Sequence, residues 1–154
     1  MTLSERAGDH LDSRTRRIAT GLGLAGALPF VALAMLLWWQ SDGNHALALA
    51  ALTGYGAVIL SFLGGIHWGL ALRDPQGDGR MFAISVVPSL LGWVAVLLPA
   101  IPGLALLAAG FLGQMVLDWR LALAPWFRLL RMLLTAIVVV SLLTGVAALT
   151  VPSV

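Results

Sequence analysis

Apolar residues occur along this chain in five long runs separated by short polar segments. The runs cover about residues 18–39, 46–72, 81–98, 103–119 and 132–151. An α-helix rises 1.5 Å per residue, so about 20 residues cross a hydrocarbon layer of about 30 Å. The pattern predicts an all-α polytopic membrane bundle of five transmembrane helices, which forms a single domain over residues 18–151.

Two polar segments flank or interrupt this predicted domain. Residues 1–17 are rich in charged side chains and carry no apolar run, so they are expected to form a polar tail. Residues 120–131 are semi-polar and contain Pro125 and Trp126. This connector is expected to lie along the membrane surface as a short amphipathic piece.

Composition supports lipid rather than water as the solvent of this chain. Of its 154 residues, 60% are hydrophobic and 10% are charged, whereas soluble domains carry about 25% charged residues. The chain has no cysteine, which excludes disulfides, thiolate metal sites and a cysteine nucleophile. The net charge is only +2 and no basic face with interleaved aromatic residues is present, so we expect no nucleic-acid partner.

The basic residues set an orientation for the five predicted helices. All nine are arginine: Arg6, Arg14, Arg16, Arg17, Arg73, Arg80, Arg120, Arg128 and Arg131. With five crossings, every one of them falls on the same side of the membrane. The positive-inside rule therefore predicts a cytoplasmic N-terminus and a periplasmic C-terminus. Tryptophans near the ends of the runs are the expected interface anchors, namely Trp38, Trp39, Trp68 and Trp119.

A set of polar residues is expected to meet inside the bundle near its cytoplasmic end. His67 lies within the second run, and an ionisable group at that depth needs a partner or a path to water. Gln114 and Asp118 share one face of the fourth helix, and Ser85 falls at a similar depth on the third. The cluster of His67, Ser85, Gln114 and Asp118 is interpreted either as structural hydrogen bonding between helices, which we favour, or as a proton-handling site.

Small residues line one face of the second predicted helix. Ser61, Gly65 and Gly69 recur every four residues, a spacing that lets a neighbouring helix approach closely. Packing within the bundle is the favoured interpretation, and a homodimer interface is the alternative. The chain has no paired histidines at helical spacing and no H-E-x-x-H sequence, so it predicts neither a metal site nor a cofactor.

The stretch from Tyr55 to Gly69 (YGAVILSFLGGIHWG) resembles the signature of an uncharacterised bacterial inner-membrane family, a domain of unknown function. An animal mitochondrial protein, transmembrane protein sixty-nine, is similar to this family. The segment from Pro88 to Trp93 and the pair Gln114 and Asp118 resemble further family features. The resemblance covers roughly residues 20–150. It implies the predicted topology and a bacterial inner membrane, and it implies no activity.

Two hypotheses of function follow from these patterns. The first is a non-enzymatic membrane protein that packs against, assembles or modulates another membrane complex. The second is a small transporter or proton-coupled channel that uses His67 and Asp118 and forms a homo-oligomer. The sequence contains no nucleophile elbow and no phosphate-binding loop, so an enzyme is the least favoured interpretation.

Overall fold

Five long helices make up nearly all of the chain that the structure describes. The structure is a computed structural model, and it describes residues 13–39, 44–73, 79–119 and 124–151. The helices are α1 (Ser13–Trp38), α2 (His45–Ala71), α3 (Gly79–Leu97), α4 (Ala100–Trp119) and α5 (Pro125–Thr150). Each is long and apolar enough to cross a membrane. The predicted all-α bundle of five helices is therefore confirmed for the described residues.

Two helices begin well before the apolar runs that predicted them. α1 begins at Ser13 rather than near residue 18, so the last residues of the expected polar tail are helical, and residues 1–12 lie outside the described part. α5 begins at Pro125 rather than at residue 132. Proline suits a first helical position because its missing N–H would have no partner there.

The end of the expected surface connector is thus the first two turns of α5. Hydropathy marks only the apolar part of a helix, whereas Arg128 and Arg131 are good helix formers that continue it. α4 likewise begins three residues early, at Ala100, and Pro102 sits in its first turn, where helical N–H groups have no partner within the helix.

Contacts between side chains fix the directions of the helices. α2 runs parallel to α4, since Gly56 lies against Leu107 and His67 lies against Gln114. α3 is antiparallel to α2, because Gly92 packs on Ala57 whereas the earlier part of α3 packs on Gly64.

α5 is antiparallel to α4 and parallel to α1. Gly145, near the end of α5, packs on Leu104 near the start of α4 and on Leu37 near the end of α1. Helices α1, α3 and α5 therefore point one way and α2 and α4 the other. The described arginines all lie at one end of the bundle, here named the arginine-rich end: Arg14, Arg16, Arg17, Arg73, Arg80, Arg128 and Arg131.

The other half of the bundle has a closely packed apolar interior. Its side chains are inaccessible to solvent at Leu52, Leu104 and Leu142, and the core continues through Phe30, which meets Phe111 edge to face at 5.8 Å between ring centroids. Large apolar side chains also cover the outside of the bundle. A surface of this kind suits lipid as the surrounding solvent.

Glycine permits the closest helix contact, between α2 and α3. A Cβ placed on Gly64 would overlap the Ser85 carbonyl oxygen and lie 3.2 Å from the Pro88 ring. Only glycine fits there without a shift of the backbone. This contact fixes α3 beside the part of α2 that carries His67.

Candidate functional site: a charged cluster joining three helices

His67 is the buried histidine at the centre of the site. It lies four residues before the end of α2, roughly 6 Å along the helix axis, and the residue is 3% exposed. Its Nδ1 lies 3.1 Å from the carbonyl oxygen of Leu63, one turn earlier in the same helix. Its Nε2 lies 3.2 Å from Oδ1 of Asp118 on α4.

Asp118 is held by two cationic or potentially cationic side chains from different helices. One carboxylate oxygen, Oδ1, faces His67. The other, Oδ2, accepts hydrogen bonds from Arg131 on α5, through Nε at 2.7 Å and through Nη2. The Asp118 side chain is 9% exposed and that of Arg131 is 13% exposed. A carboxylate buried this far is stabilised by a directly bonded guanidinium.

Gln114 lies one turn before Asp118 and completes the surroundings of the imidazole. Its side-chain nitrogen Nε2 lies 3.0 Å from Nδ1 of His67. The residue is 2% exposed. Gln114 and Asp118 therefore contact both nitrogens of one ring, as expected from their shared helix face.

The two contacts of Nδ1 belong to two protonation states of the ring. A carbonyl oxygen only accepts, so the contact with Leu63 is a hydrogen bond when Nδ1 carries a proton. The Gln114 amide nitrogen only donates, so its contact is a hydrogen bond when Nδ1 is unprotonated. In both states Nε2 keeps a proton facing the Asp118 carboxylate. Neutral and cationic His67 thus each have a partner for Nδ1 without any helix moving.

The contact between His67 and Asp118 is close but poorly aligned. Although 3.2 Å separates Nε2 from Oδ1, the pair does not have the geometry of a hydrogen bond, so Nε2 is buried without a hydrogen-bond partner among the described residues. Electrostatic attraction remains at this distance.

The groups of this arrangement are ones that pair charges and, at the imidazole, can bind or release a proton. It offers one imidazole, one carboxylate and one guanidinium, with no hydroxyl or thiol nucleophile bonded to the ring. No group of three histidine, cysteine, aspartate or glutamate side chains suited to a metal ion occurs in the described residues.

Ser85, the fourth predicted member, is buried nearby but is bonded elsewhere. Its hydroxyl donates to the carbonyl oxygen of Phe82 in its own helix, at 2.7 Å. Its backbone, not its side chain, faces α2 at Gly64. Ser85 is therefore buried as a polar residue of α3, but its hydroxyl is bonded to its own helix and not to His67, because a serine in a helix readily bonds the carbonyl one turn back.

Arg131 is the member that sequence reasoning missed. Hydropathy assigns it to the connector because the apolar run begins at residue 132, whereas Arg131 lies six residues inside α5, roughly 9 Å from the first residue of that helix. A usable signal existed in Asp118, since a carboxylate that ends an apolar run needs a cation. Several arginines follow Asp118 in the sequence, and only the position of α5 shows that Arg131 is the one that bonds it.

The predicted packing face on α2 points out of the bundle. Gly65 and Gly69 are exposed, and a Cβ at either glycine would have no other heavy atom within 4 Å. Ser61 is half-buried. The prediction that these glycines pack within the bundle is therefore wrong. The adjacent Gly64 makes the close contact with α3 instead. Contact with another chain stays a prediction.

The four predicted anchor tryptophans all have exposed rings, between 44% at Trp68 and 85% at Trp39. Trp38 also donates from Nε1 to the carbonyl oxygen of Thr144, at 3.1 Å, and so ties α1 to α5. Trp68 packs edge to face on Phe82 with 5.0 Å between ring centroids.

Five apolar helices around an internal charged cluster define a multi-pass membrane protein. The chain belongs to the family described as "Protein of unknown function (DUF3429)", whose model matches residues 15–147. The resemblance noted from α2 is thereby confirmed.

Two curated relatives extend the comparison to animals. Transmembrane protein 69 of Xenopus tropicalis is 40% identical over 129 residues, which cover 79% of this chain and 50% of the relative. Transmembrane protein 69 of Mus musculus is 32% identical over 125 residues, which cover 77% of this chain and 51% of the relative. The chain spans about half the length of these curated relatives. No solved structure matches it.

Proposed function

We propose that this chain is a non-enzymatic membrane protein that binds a transmembrane helix of another membrane protein and so assembles or modulates it. The observation that carries the proposal is the outward-facing part of α2, where Gly65 and Gly69 present bare backbone to the surroundings. In lipid, such surfaces let a second helix approach closely enough for dispersion and weak hydrogen bonds to hold it.

Rigidity of α2 supports this role. The helix is fixed from behind by the contact between Gly64 and α3, and His67 lies against Asp118 of α4. Binding to a rigid element orders few additional groups and therefore loses little conformational entropy. The charged cluster then serves to hold the binding helix in place.

The test is site-specific photocrosslinking in native membranes. A photoreactive residue at Val58 or Phe62, both exposed on α2, is expected to capture another membrane protein. Gly65→Leu should abolish that crosslink because its side chain would hold the partner helix away. Gly113→Leu is the matched control, since Gly113 is also exposed with open space around it, but on α4.

Both variants should retain the helical circular dichroism of the parent. Crosslinks only to lipid, or an unchanged crosslink in Gly65→Leu, would contradict partner binding. A crosslink only to a second copy would replace the proposal with self-association.

The second candidate function is proton handling by the cluster. The specific observation in its favour is the imidazole, whose Nδ1 has one partner for each protonation state. Against transport, the half of the bundle beyond the cluster is closed by fully buried leucines such as Leu52 and Leu142. Proton flux into liposomes that His67→Ala stops would establish this alternative.

We further propose that the arginine-rich end faces the cytoplasm of a bacterial cell, with the chain in the inner membrane. The support is the grouping of the described arginines at one end, to which the positive-inside rule applies. Alkaline phosphatase fused after Val151 should be active in the periplasm. Activity of a fusion in the loop between α2 and α3 instead would reverse the orientation.

A further inference from the structure

A cleft on the outer surface of the bundle lies between α1, α2 and α5. Its volume is about 190 Å³. The walls are almost wholly apolar, and they include Gly26, Phe30, Ile59, Phe62, Leu134 and Val138. Apolar walls with few polar groups are typical of sites for small organic ligands.

Arg131 supplies the charged group of this lining. Its guanidinium has five N–H groups, and its hydrogen bonds to Asp118 come from Nε and Nη2. These bonds use one edge of the planar group. The N–H groups of Nη1 and the second one of Nη2 have no acceptor among the described residues. One N–H of Nη1 and this second N–H of Nη2 form the free edge of the guanidinium, a donor pair that matches a carboxylate.

Charge at the cleft favours an anion over a cation. Asp118 and Arg131 neutralise each other, and no acidic side chain occurs among the described residues that line the cleft. His67 adds a positive charge to the cluster when it is protonated and none when it is neutral. A cationic head would find no carboxylate among these residues, whereas an anionic head would find spare N–H donors on Arg131.

Depth and length suit a single chain of a membrane amphiphile. The cleft extends along α5 from Arg131 to Val138, seven residues or roughly 10 Å. Arg131 lies towards the arginine-rich end, so a head group there would sit on that side of the membrane with its tail directed into the bilayer. The volume is below the range of about 300–1,000 Å³ usual for drug-sized ligands, so the cleft would hold only the part of one alkyl chain nearest the head group, and the rest of the chain would lie in the bilayer.

We propose that this cleft binds a fatty acid, with its carboxylate on the free edge of the Arg131 guanidinium and its alkyl chain along Leu134 and Val138. The apolar walls alone would accept any alkyl chain. The arginine is what makes the site selective for a carboxylate head.

The experiment uses a photoreactive fatty acid carrying a diazirine on its chain, with the full-length protein in phosphatidylcholine liposomes. Crosslinks should concentrate on the cleft segments of α1 and α5, mapped by mass spectrometry of peptides. Unlabelled palmitate should compete at least about tenfold better than hexadecanol, equivalent to about 1.4 kcal/mol, because the alcohol lacks a charged acceptor for the guanidinium.

Gly26→Leu tests the cleft itself. A Cβ on Gly26 meets only the Tyr55 hydroxyl, at 3.9 Å, so the larger side chain has room to enter the cleft and should remove most of the labelling. Gly21→Leu is the matched control on the same helix, where a Cβ would have open space and Gly21 does not line the cleft. Its labelling should equal that of the parent.

Three outcomes would overturn the proposal. Labelling spread evenly over all lipid-facing helices would show that no site exists. Equal competition by palmitate and hexadecanol in the unmodified protein would show that Arg131 does not select the head, whatever the variants do. Stronger cleft labelling by a photoreactive phosphatidylglycerol than by the fatty acid would assign the cleft to a phospholipid.

Discussion

The two halves of the bundle are held together by different interactions. At the arginine-rich end, α2, α4 and α5 meet through His67, Asp118 and Arg131, whose contacts are few, directional and charged. In the opposite half, the same helices meet through fully buried leucines and the close contact of Gly145 with Leu52. Lipid is as apolar as leucine, so the apolar half gains little from burial and depends on the fit of its surfaces. The charged half depends on each partner being present.

The largest effect is expected from removing the shared carboxylate. Asp118→Ala leaves Arg131 and His67 without their acceptor in a buried position, and breaking a buried pair costs about 3–5 kcal/mol. The free energy of unfolding, measured by titrating sodium dodecyl sulfate into dodecyl maltoside micelles, should fall by that amount.

Its control is the double variant Asp118→Asn with Arg131→Gln. This pair removes both charges and keeps hydrogen-bonding groups, so it should restore much of the lost stability. If Asp118→Ala alone changes the unfolding free energy by less than about 1 kcal/mol, as an exposed ion pair would, the charged half is not held in the way described.

A larger side chain in the apolar half should lower the free energy of unfolding by somewhat less than Asp118→Ala does. A Cβ on Gly145 would lie 3.0 Å from Leu52 and 3.3 Å from Leu37, so Gly145→Val must displace these side chains, at a cost of about 1–3 kcal/mol. The same micelle titration measures it. Gly113→Val is the control, because Gly113 is exposed with open space around it, and it should leave the free energy of unfolding nearly unchanged. If both variants lower this free energy equally, valine acts through its helix propensity and not through overpacking.

Truncation of a core side chain should lower the free energy of unfolding by less than Gly145→Val does. Leu142 is fully buried, and Leu→Ala in a water-soluble core costs about 2–5 kcal/mol. That cost has two contributions, the transfer of the side chain from water and the loss of packing contacts. The transfer contribution is small here because the unfolded side chain stays in an apolar environment. Leu142→Ala should therefore lower the free energy of unfolding by about 1–2 kcal/mol, the packing contribution. A loss as large as that of Asp118→Ala would remove the contrast between the two halves.

The smallest effect is expected at an uncharged hydrogen bond between helices. The Tyr55 hydroxyl donates to the carbonyl oxygen of Gly26, at 2.9 Å, and so joins α2 to α1. Tyr55→Phe keeps the ring packed against Phe30 at 5.0 Å between centroids and removes only this bond. The expected loss of unfolding free energy is about 0.6 kcal/mol, the average for such bonds in membranes.

The candidate site was partly predictable because helical spacing is regular. A separation of four residues puts Gln114 and Asp118 on one helix face, and the distance of His67 from the end of its apolar run gives its depth in the membrane. The structure brings these three together. Ser85 was not predictable in the same way, because depth along an axis does not say which way a helix is turned.

Rotation about the helix axis also explains the error on α2. Gly64 and Gly65 are adjacent in sequence, but successive helical residues point about 100° apart, so one faces α3 and the other faces outward. With apolar residues on every side of the helix, no polar face indicates which glycine is inside. The four-residue spacing of small residues was real, but the spacing alone does not identify the neighbour.

The sequence by itself determined the number of helices, their approximate limits and the grouping of the arginines at one end. These features follow from the lengths of apolar runs and from the alternation of direction at each connection. Only the tertiary structure decided how each helix is rotated, and therefore that Gly64 meets α3, that Ser85 bonds its own helix and that Arg131 of α5 completes the cluster. The physical reason is that lipid accepts apolar side chains on any face, so rotation is fixed by close fit and by pairing of the few charged groups.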